Sequence, residues 1–125
     1  MSLANIVYSS RLTWANHLLD RLEDQSMTPL FGEDPVEMGM AGLEDRLTTL
    51  FSTDPLYSEM FVDAFPDDDT PYSIGNLTKA LASFERILLS FDTPFDEYMS
   101  GKTDALSDAA KRGLGLFLSE RLECF

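Results

Sequence analysis

Apolar residues recur at helical spacing along most of the chain. From Ser73 to Phe91, the residues Leu77, Ala80, Leu81, Phe84, Ile87, Leu88 and Phe91 fall on one stripe of a 3.6-residue period. This predicts a long amphipathic helix that buries the stripe, with Ser73 as N-cap and Pro94 beyond its end. A second helix is predicted from Asp54, with Asp as cap and Pro55 at the first helical position ahead of Tyr57, Met60, Phe61, Ala64 and Phe65. Pro66 and the run Asp67-Asp68-Asp69 should stop it. Leu43, Leu47, Leu50 and Phe51 mark a shorter helix between Gly42 and Ser52, and Ser107 opens a last one through Ala110, Leu114, Phe117, Leu118 and Leu122. That last pattern has no Gly, Asn or Pro as C-cap, so helix is expected to run to the chain's end.

Before residue 42 the pattern is less regular. A helix is expected from about Asn16 to Met27, followed by the turn-rich stretch from Pro29 to Pro35. No period-2 strand and no internal repeat is present. The expectation is an all-α fold, an irregular bundle of about five or six helices with a long N-terminal loop region over residues 1–41 and a helical segment over 42–125.

Charge narrows the partners. The 125 residues carry 22 Asp and Glu against 9 Lys and Arg, a formal net charge of -13. Affinity for nucleic acid or an anionic membrane comes largely from Lys and Arg displacing counterions, so neither is expected as a partner. The 44% hydrophobic content is too high for charge-driven disorder. No apolar run approaches the roughly 18 residues that span a bilayer. One Cys and one His cannot furnish a disulfide or the soft ligands of a zinc site, so no metal site is expected from this chain alone. Met1-Ser2-Leu3 shows no secretory signal pattern.

Few residues then remain as carriers of chemistry. Cys124 lies one residue from the end, and Cys124-Phe125 matches only the first two positions of the C-x-x-C-H pattern that attaches a c-type haem. Taken alone it is an incidental thiol. Trp14, the single Trp, is either a packing anchor or an indole able to relay an electron. His17 could ligate a metal, but with no second ligand in sequence reach it reads as a surface or satisfied histidine. Glu37, with Gln25 and Pro29 before it, is either a solvated loop acid or a carboxylate able to move a proton during peroxide cleavage. The triple Asp lacks calcium-loop spacing and reads as a solvated loop.

Longer strings decide between these readings. The segment "LTKALASFERILLSFDTPFDEYMSGKTDALSDAAKRGLGLF", residues 77–117, closely resembles the stretch that precedes the second haem-attachment motif in bacterial di-haem cytochrome c peroxidases and their MauG-type relatives. Upstream, "RLTWANHLLDRLEDQSMTPLFGEDPVEMGM" is similar to the region between the two haems of that family, with Trp14, Gln25, Pro29 and Glu37-Met38-Gly39 at its Trp, Gln, Pro and Glu-Met-Gly positions. About two extra residues separate Pro29 from Glu37 relative to the commonest form. "RLTWAN" and "SERLECF" resemble a MauG-like branch that includes the methanobactin-associated MbnH enzymes.

The resemblance implies a cytochrome c peroxidase-like fragment cut between two haem-attachment motifs, with Cys124 as the first thioether Cys of the second. For the parent it implies a periplasmic, all-helical oxidoreductase with two c-type haems. Trp14 would be the electron relay between them, and Glu37, helped by Gln25 and Pro29, would manage protons at the peroxide-reactive haem. Hydrogen peroxide would be reduced with electrons from a small cytochrome or copper protein, or from a partner protein's side chains as in MauG-like enzymes. The isolated chain is expected to lack haem and activity, and to self-associate through apolar faces left without porphyrin. The alternative from a different class is a non-enzymatic acidic helical module that binds a protein partner.

Overall fold

The fold is all-α, as the periodicity predicts. The computed structural model describes residues 2–14 and 16–123. Among these residues a short 3-10 helix at Ile6–Tyr8 is followed by six α-helices: α1 (Leu22–Phe31), α2 (Glu44–Thr53), α3 (Pro55–Ala64), α4 (Ile74–Arg86), α5 (Pro94–Met99) and α6 (Asp108–Phe117). Among the described residues β-structure is limited to one isolated bridge between Glu33 and Val36, and no helix is long and apolar enough to cross a membrane. The chain divides into two compact units, Met1–Leu89 and Ser90–Phe125.

In the first unit α1 packs along α4. The buried side of α1 is Leu22, Ser26 and Leu30, one residue per turn. Opposite them Ala82 is fully buried, and a side chain this small lets the two helix backbones approach closely. Ile6 from the 3-10 helix and Leu12 complete the cluster with Leu22 and Ala82. The chain entry is fixed to the turn that follows α4 by the Asn5 amide, which donates to the Leu88 carbonyl at 2.8 Å. Across the α1/α4 contact, Arg86 Nη2 lies 2.8 Å from Glu23 Oε1.

A second cluster joins α2 to α3. Phe51 and Phe61 stack at 4.7 Å between ring centres, with Tyr57 edge-on to Phe51 at 5.8 Å. The start of α3 follows the expected chemistry: Asp54 Oδ1 accepts from the amides of Leu56 and Tyr57, and Pro55 occupies the first turn. The acidic loop is tied to α4 by Asn76, which is 1% exposed. Its amide group donates to Asp68 Oδ2 at 2.8 Å and to the Pro71 carbonyl at 3.0 Å. That donation, with the Thr70 amide, holds the Asp68 carboxyl below the usual range.

Several expectations need correction. The stripe Leu77, Ala80, Leu81, Phe84, Ile87, Leu88, Phe91 is not the buried face of α4. The fully buried residues are Asn76, Thr78 and Ala82, while Phe84, Ile87 and Phe91 are exposed. Leu77, Ala80 and Leu81 instead wall an open apolar cleft of about 330 Å³ with residues of α2 and α3, among them Phe51, Met60 and Phe61. Ala82, with its small side chain, is the α4 residue that joins the cluster with Leu22 of α1, where a bulky one would hold the helices apart. α4 also ends at Arg86, because the amides of Ile87 and Leu88 turn back to the Phe84 and Glu85 carbonyls in 3-10 fashion.

Pro94 opens a helix rather than merely following one. Thr93 and Asp96 form a reciprocal capping box, with the Asp96 amide 3.2 Å from Thr93 Oγ1 and the Thr93 amide 3.0 Å from Asp96 Oδ2. α6 starts from Ser107 as expected, but stops at Phe117. The Ser119 hydroxyl donates to the Leu116 carbonyl at 2.6 Å, a local bond that competes with helix continuation. Neither α5 nor α6 contains a fully buried residue.

The N-terminal helix is displaced from 16–27 to 22–31. Asn16 Oδ1 accepts from the Leu18 amide at 3.0 Å, a side-chain turn that holds this segment out of helix. Pro29 lies inside α1 near its C-terminal end, so helix continues through part of the stretch expected to be turns.

Candidate functional site

α1 sets the geometry of the site. Pro29 has no N–H for the Gln25 carbonyl, and the helix closes two residues later when the Gly32 amide bonds Thr28 O at 2.8 Å. The carbonyls of Pro29 and Leu30 are then available to the following loop. They accept from the amides of Met38 and Met40, each at 3.0 Å, which folds residues 33–40 back along α1. Glu37 precedes the first of these anchored amides. Gly32 permits the turn because a Cβ there would meet Thr28 O at 2.5 Å.

The loop before α1 supplies the other wall. Leu12 is buried, and Thr13 and Trp14 follow it outward. The result is an open pocket of about 250 Å³ whose aliphatic wall is Leu3, Ile6, Leu12 and Leu22 and whose polar rim is Thr13, Gln25 and Glu37, with Trp14 beside them. Trp14 is 88% exposed and Glu37 is exposed, while Gln25 is half-buried.

Three of the residues singled out from sequence, Trp14, Gln25 and Glu37, therefore meet at one pocket. Pro29 serves it indirectly through the carbonyl that anchors Met38. Cys124 lies outside the described residues. His17 is exposed, and its carbonyl accepts from Arg11 Nη1 at 3.2 Å. Leu3, Ile6 and Leu12 carried no signal in the sequence, because the irregular segment before α1 has no period from which an inward face could be read.

α1 also carries the polar joint to α4, the Glu23–Arg86 pair. Its own amide and the Arg86 guanidinium hold the Glu23 carboxyl below the ordinary 4.5 of a glutamate. Glu85 beside it is pushed the other way by burial, and Glu85 Oε2 is shielded from solvent without a hydrogen-bond partner among the described residues.

Chemically, the pocket offers an aliphatic wall, an amide and a carboxylate at its rim, and an oxidisable indole at its edge. The pocket lining has no His, Met or Cys, and among the described residues no group of three or more His, Cys, Asp or Glu is placed to hold a metal. Fold and pocket thus define a helical protein whose first compact unit carries an open, aliphatic-walled pocket with a polar rim.

The comparisons with known proteins give that class a family. Residues 1–104 match the di-haem cytochrome c peroxidase family, and the chain belongs to it. It is 34% identical over 116 residues to the methylamine utilization protein MauG of Methylophilus methylotrophus, which covers 93% of this chain and 32% of that protein. Against the cytochrome c551 peroxidase of Pseudomonas aeruginosa the identity is 31% over 116 residues, with 91% and 32% covered. The crystal structure of a MauG-like protein associated with microbial copper homeostasis superposes with a TM-score of 0.83 at 37% identity, covering 98% of this chain and 35% of that one. The chain spans about a third of the length of the curated relatives it matches.

Proposed function

We propose that this chain forms the part of a di-haem c-type cytochrome peroxidase that lies between its two haems. One observation carries the reading: in a chain of this family, Trp14, Gln25 and Glu37 converge on one aliphatic-walled pocket. When bound there, a c-type haem supplies the redox centre at which peroxide is reduced. Leu3, Ile6, Leu12 and Leu22 cover its face and exclude water. Glu37 would take the proton from the near oxygen of hydrogen peroxide and return it to the far one, while the haem would supply the electrons for O–O cleavage. Gln25 orients the peroxide, and Pro29 fixes the loop that carries Glu37. Trp14 passes electrons between the two haems, and Cys124 is the first thioether Cys of the second.

The two electrons come from a small cytochrome or copper protein, or from side chains of a protein substrate as MauG-like activity requires. The similarity to MauG proteins at 33–34% identity supports the second source, and that to cytochrome c peroxidases at 31–32% supports the first. The whole protein is periplasmic in this reading. The chain on its own lacks haem and activity, and with Trp14, Phe84 and Ile87 more than half exposed it self-associates. Sedimentation velocity should show mass above 14.0 kDa at high concentration, and a strict monomer would refute that part.

The test of the whole is the reaction of peroxide with the protein carrying both haems. Glu37→Gln should slow haem oxidation by about 10²–10⁴-fold, the span of general acid-base contributions, and leave the haem content unchanged. An unchanged rate in Glu37→Gln removes Glu37 from the proton path, and failure of the loaded protein to react with peroxide at all favours the non-enzymatic interaction module.

A further inference from the structure

Within these 125 residues Trp14 is 88% exposed, so here packing of its own ring does not fix where it sits. Its position comes from the backbone that carries it, and that backbone is fastened twice. On the inside, Thr13 Oγ1 donates to the Asn16 carbonyl at 2.6 Å and accepts from the Asn16 amide at 3.1 Å. On the outside, Arg11 Nη1 reaches across to the His17 carbonyl at 3.2 Å, so that Trp14 lies midway along the bridged segment. Arg11 is itself held by Ser9, whose hydroxyl donates to the Arg11 carbonyl at 2.6 Å. Leu12, buried in the cluster with Ile6, Leu22 and Ala82, roots the segment in the core.

We propose that Thr13 and Arg11 are positioning residues that clasp the Trp14 segment and hold the indole at the pocket edge. The proposal rests on the reading of Trp14 as electron relay. Electron tunnelling falls exponentially with distance, so an indole on a freely moving loop relays poorly, whereas a clasped one keeps a fixed separation from donor and acceptor. Thr13 is suited to the inner fastening because one hydroxyl donates and accepts at once. The guanidinium of Arg11 suits the outer one because its stem spans the segment and its charge-assisted bond is stronger than a neutral one.

Trp14 is the single Trp of the chain, so its emission reports the clasp directly. The experiment compares time-resolved Trp anisotropy of the 125-residue chain with that of Thr13→Val, Thr13→Ser and Arg11→Met, with circular dichroism as control for folding. Thr13→Val and Arg11→Met should raise the nanosecond-or-faster part of the depolarisation by about two-fold, on the timescale of loop motion, and Thr13→Ser should match the wild type. Overlaid decays for wild type, Thr13→Val and Arg11→Met would overturn the clasp. The relay is read separately, as the inter-haem electron-transfer rate of the protein carrying both haems. If Trp14→Phe leaves that rate unchanged while Thr13→Val loosens the indole, the relay reading falls and the clasp stands. If Trp14→Phe slows it and Thr13→Val neither loosens the indole nor slows transfer, the clasp alone falls.

Discussion

Replacing Arg86 by Met tests how the pocket is held together. The guanidinium joins α4 to α1 through Glu23 at 2.8 Å, across 63 residues of sequence, and α1 carries Gln25 and Pro29. Met keeps most of the apolar stem, so the change isolates the charge. A hydrogen bond to a charged group contributes about 1.5–3 kcal/mol when well shielded. Glu23 is shielded, with a side chain 15% exposed, but Arg86 is 41% exposed, which draws the value toward the roughly 0.2–1 kcal/mol of open ion pairs. The expected loss is about 1 kcal/mol, a fall in Tm of roughly 3–6 °C for a chain of this size.

The pH dependence has a fixed sign. Glu23 has a folded pKa below its ordinary 4.5, so its contribution is complete above that value and is lost as pH falls through the lowered one. The gap between wild type and Arg86→Met should therefore be full at neutral pH and narrow in acid. Thermal unfolding from neutral to acidic pH, combined with a double-mutant cycle using Glu23→Gln, measures both. Additive single effects, or a gap that widens in acid, would refute the reasoning.

The other predictions concern neighbouring features. Burial raises the Glu85 pKa, so ionising it costs stability at neutral pH and the cost disappears below the ordinary value. Glu85→Gln should stabilise by about 0.5–1.5 kcal/mol at pH 7, with urea midpoints converging at low pH, and a destabilised variant at pH 7 would contradict the assignment. Gly32→Ala would put a Cβ 2.5 Å from the Thr28 carbonyl oxygen, a backbone atom. The α1 end must shift, at a cost of about 1–3 kcal/mol, and hydrogen exchange at the Met38 and Met40 amides should accelerate; unchanged exchange there would sink the claim that Gly32 sets the loop.

The parts of the fold written in local chemistry were legible in the sequence. Asp54-Pro55, Ser73 and Ser107 each begin a helix, because capping depends on a few adjacent residues. Helix ends were less so. Arg86 and Phe117 are set by backbone carbonyls captured locally, at Phe84 and Glu85 in one case and at Leu116 in the other. The inward face of α4 was misread because apolar periodicity finds the largest side chains, whereas the contact with α1 selected the smallest, Ala82. At the site, residue types located Trp14, Gln25 and Glu37, but the aliphatic wall came from a segment without period. The ties that position the rim, Arg11 to His17 and Pro29 to Met38, involve backbone carbonyls that no residue type announces.

The central claim is that the pocket of Leu3, Ile6, Leu12 and Leu22 faces a haem, with Trp14 between two of them. A crystal structure of the protein carrying both haems tests it most directly. It should show porphyrin against that aliphatic wall, Glu37 and Gln25 over the iron on the peroxide side, and the Trp14 ring buried between the haem edges instead of 88% exposed. A structure in which the pocket opens to solvent and Trp14 stays exposed would contradict the account.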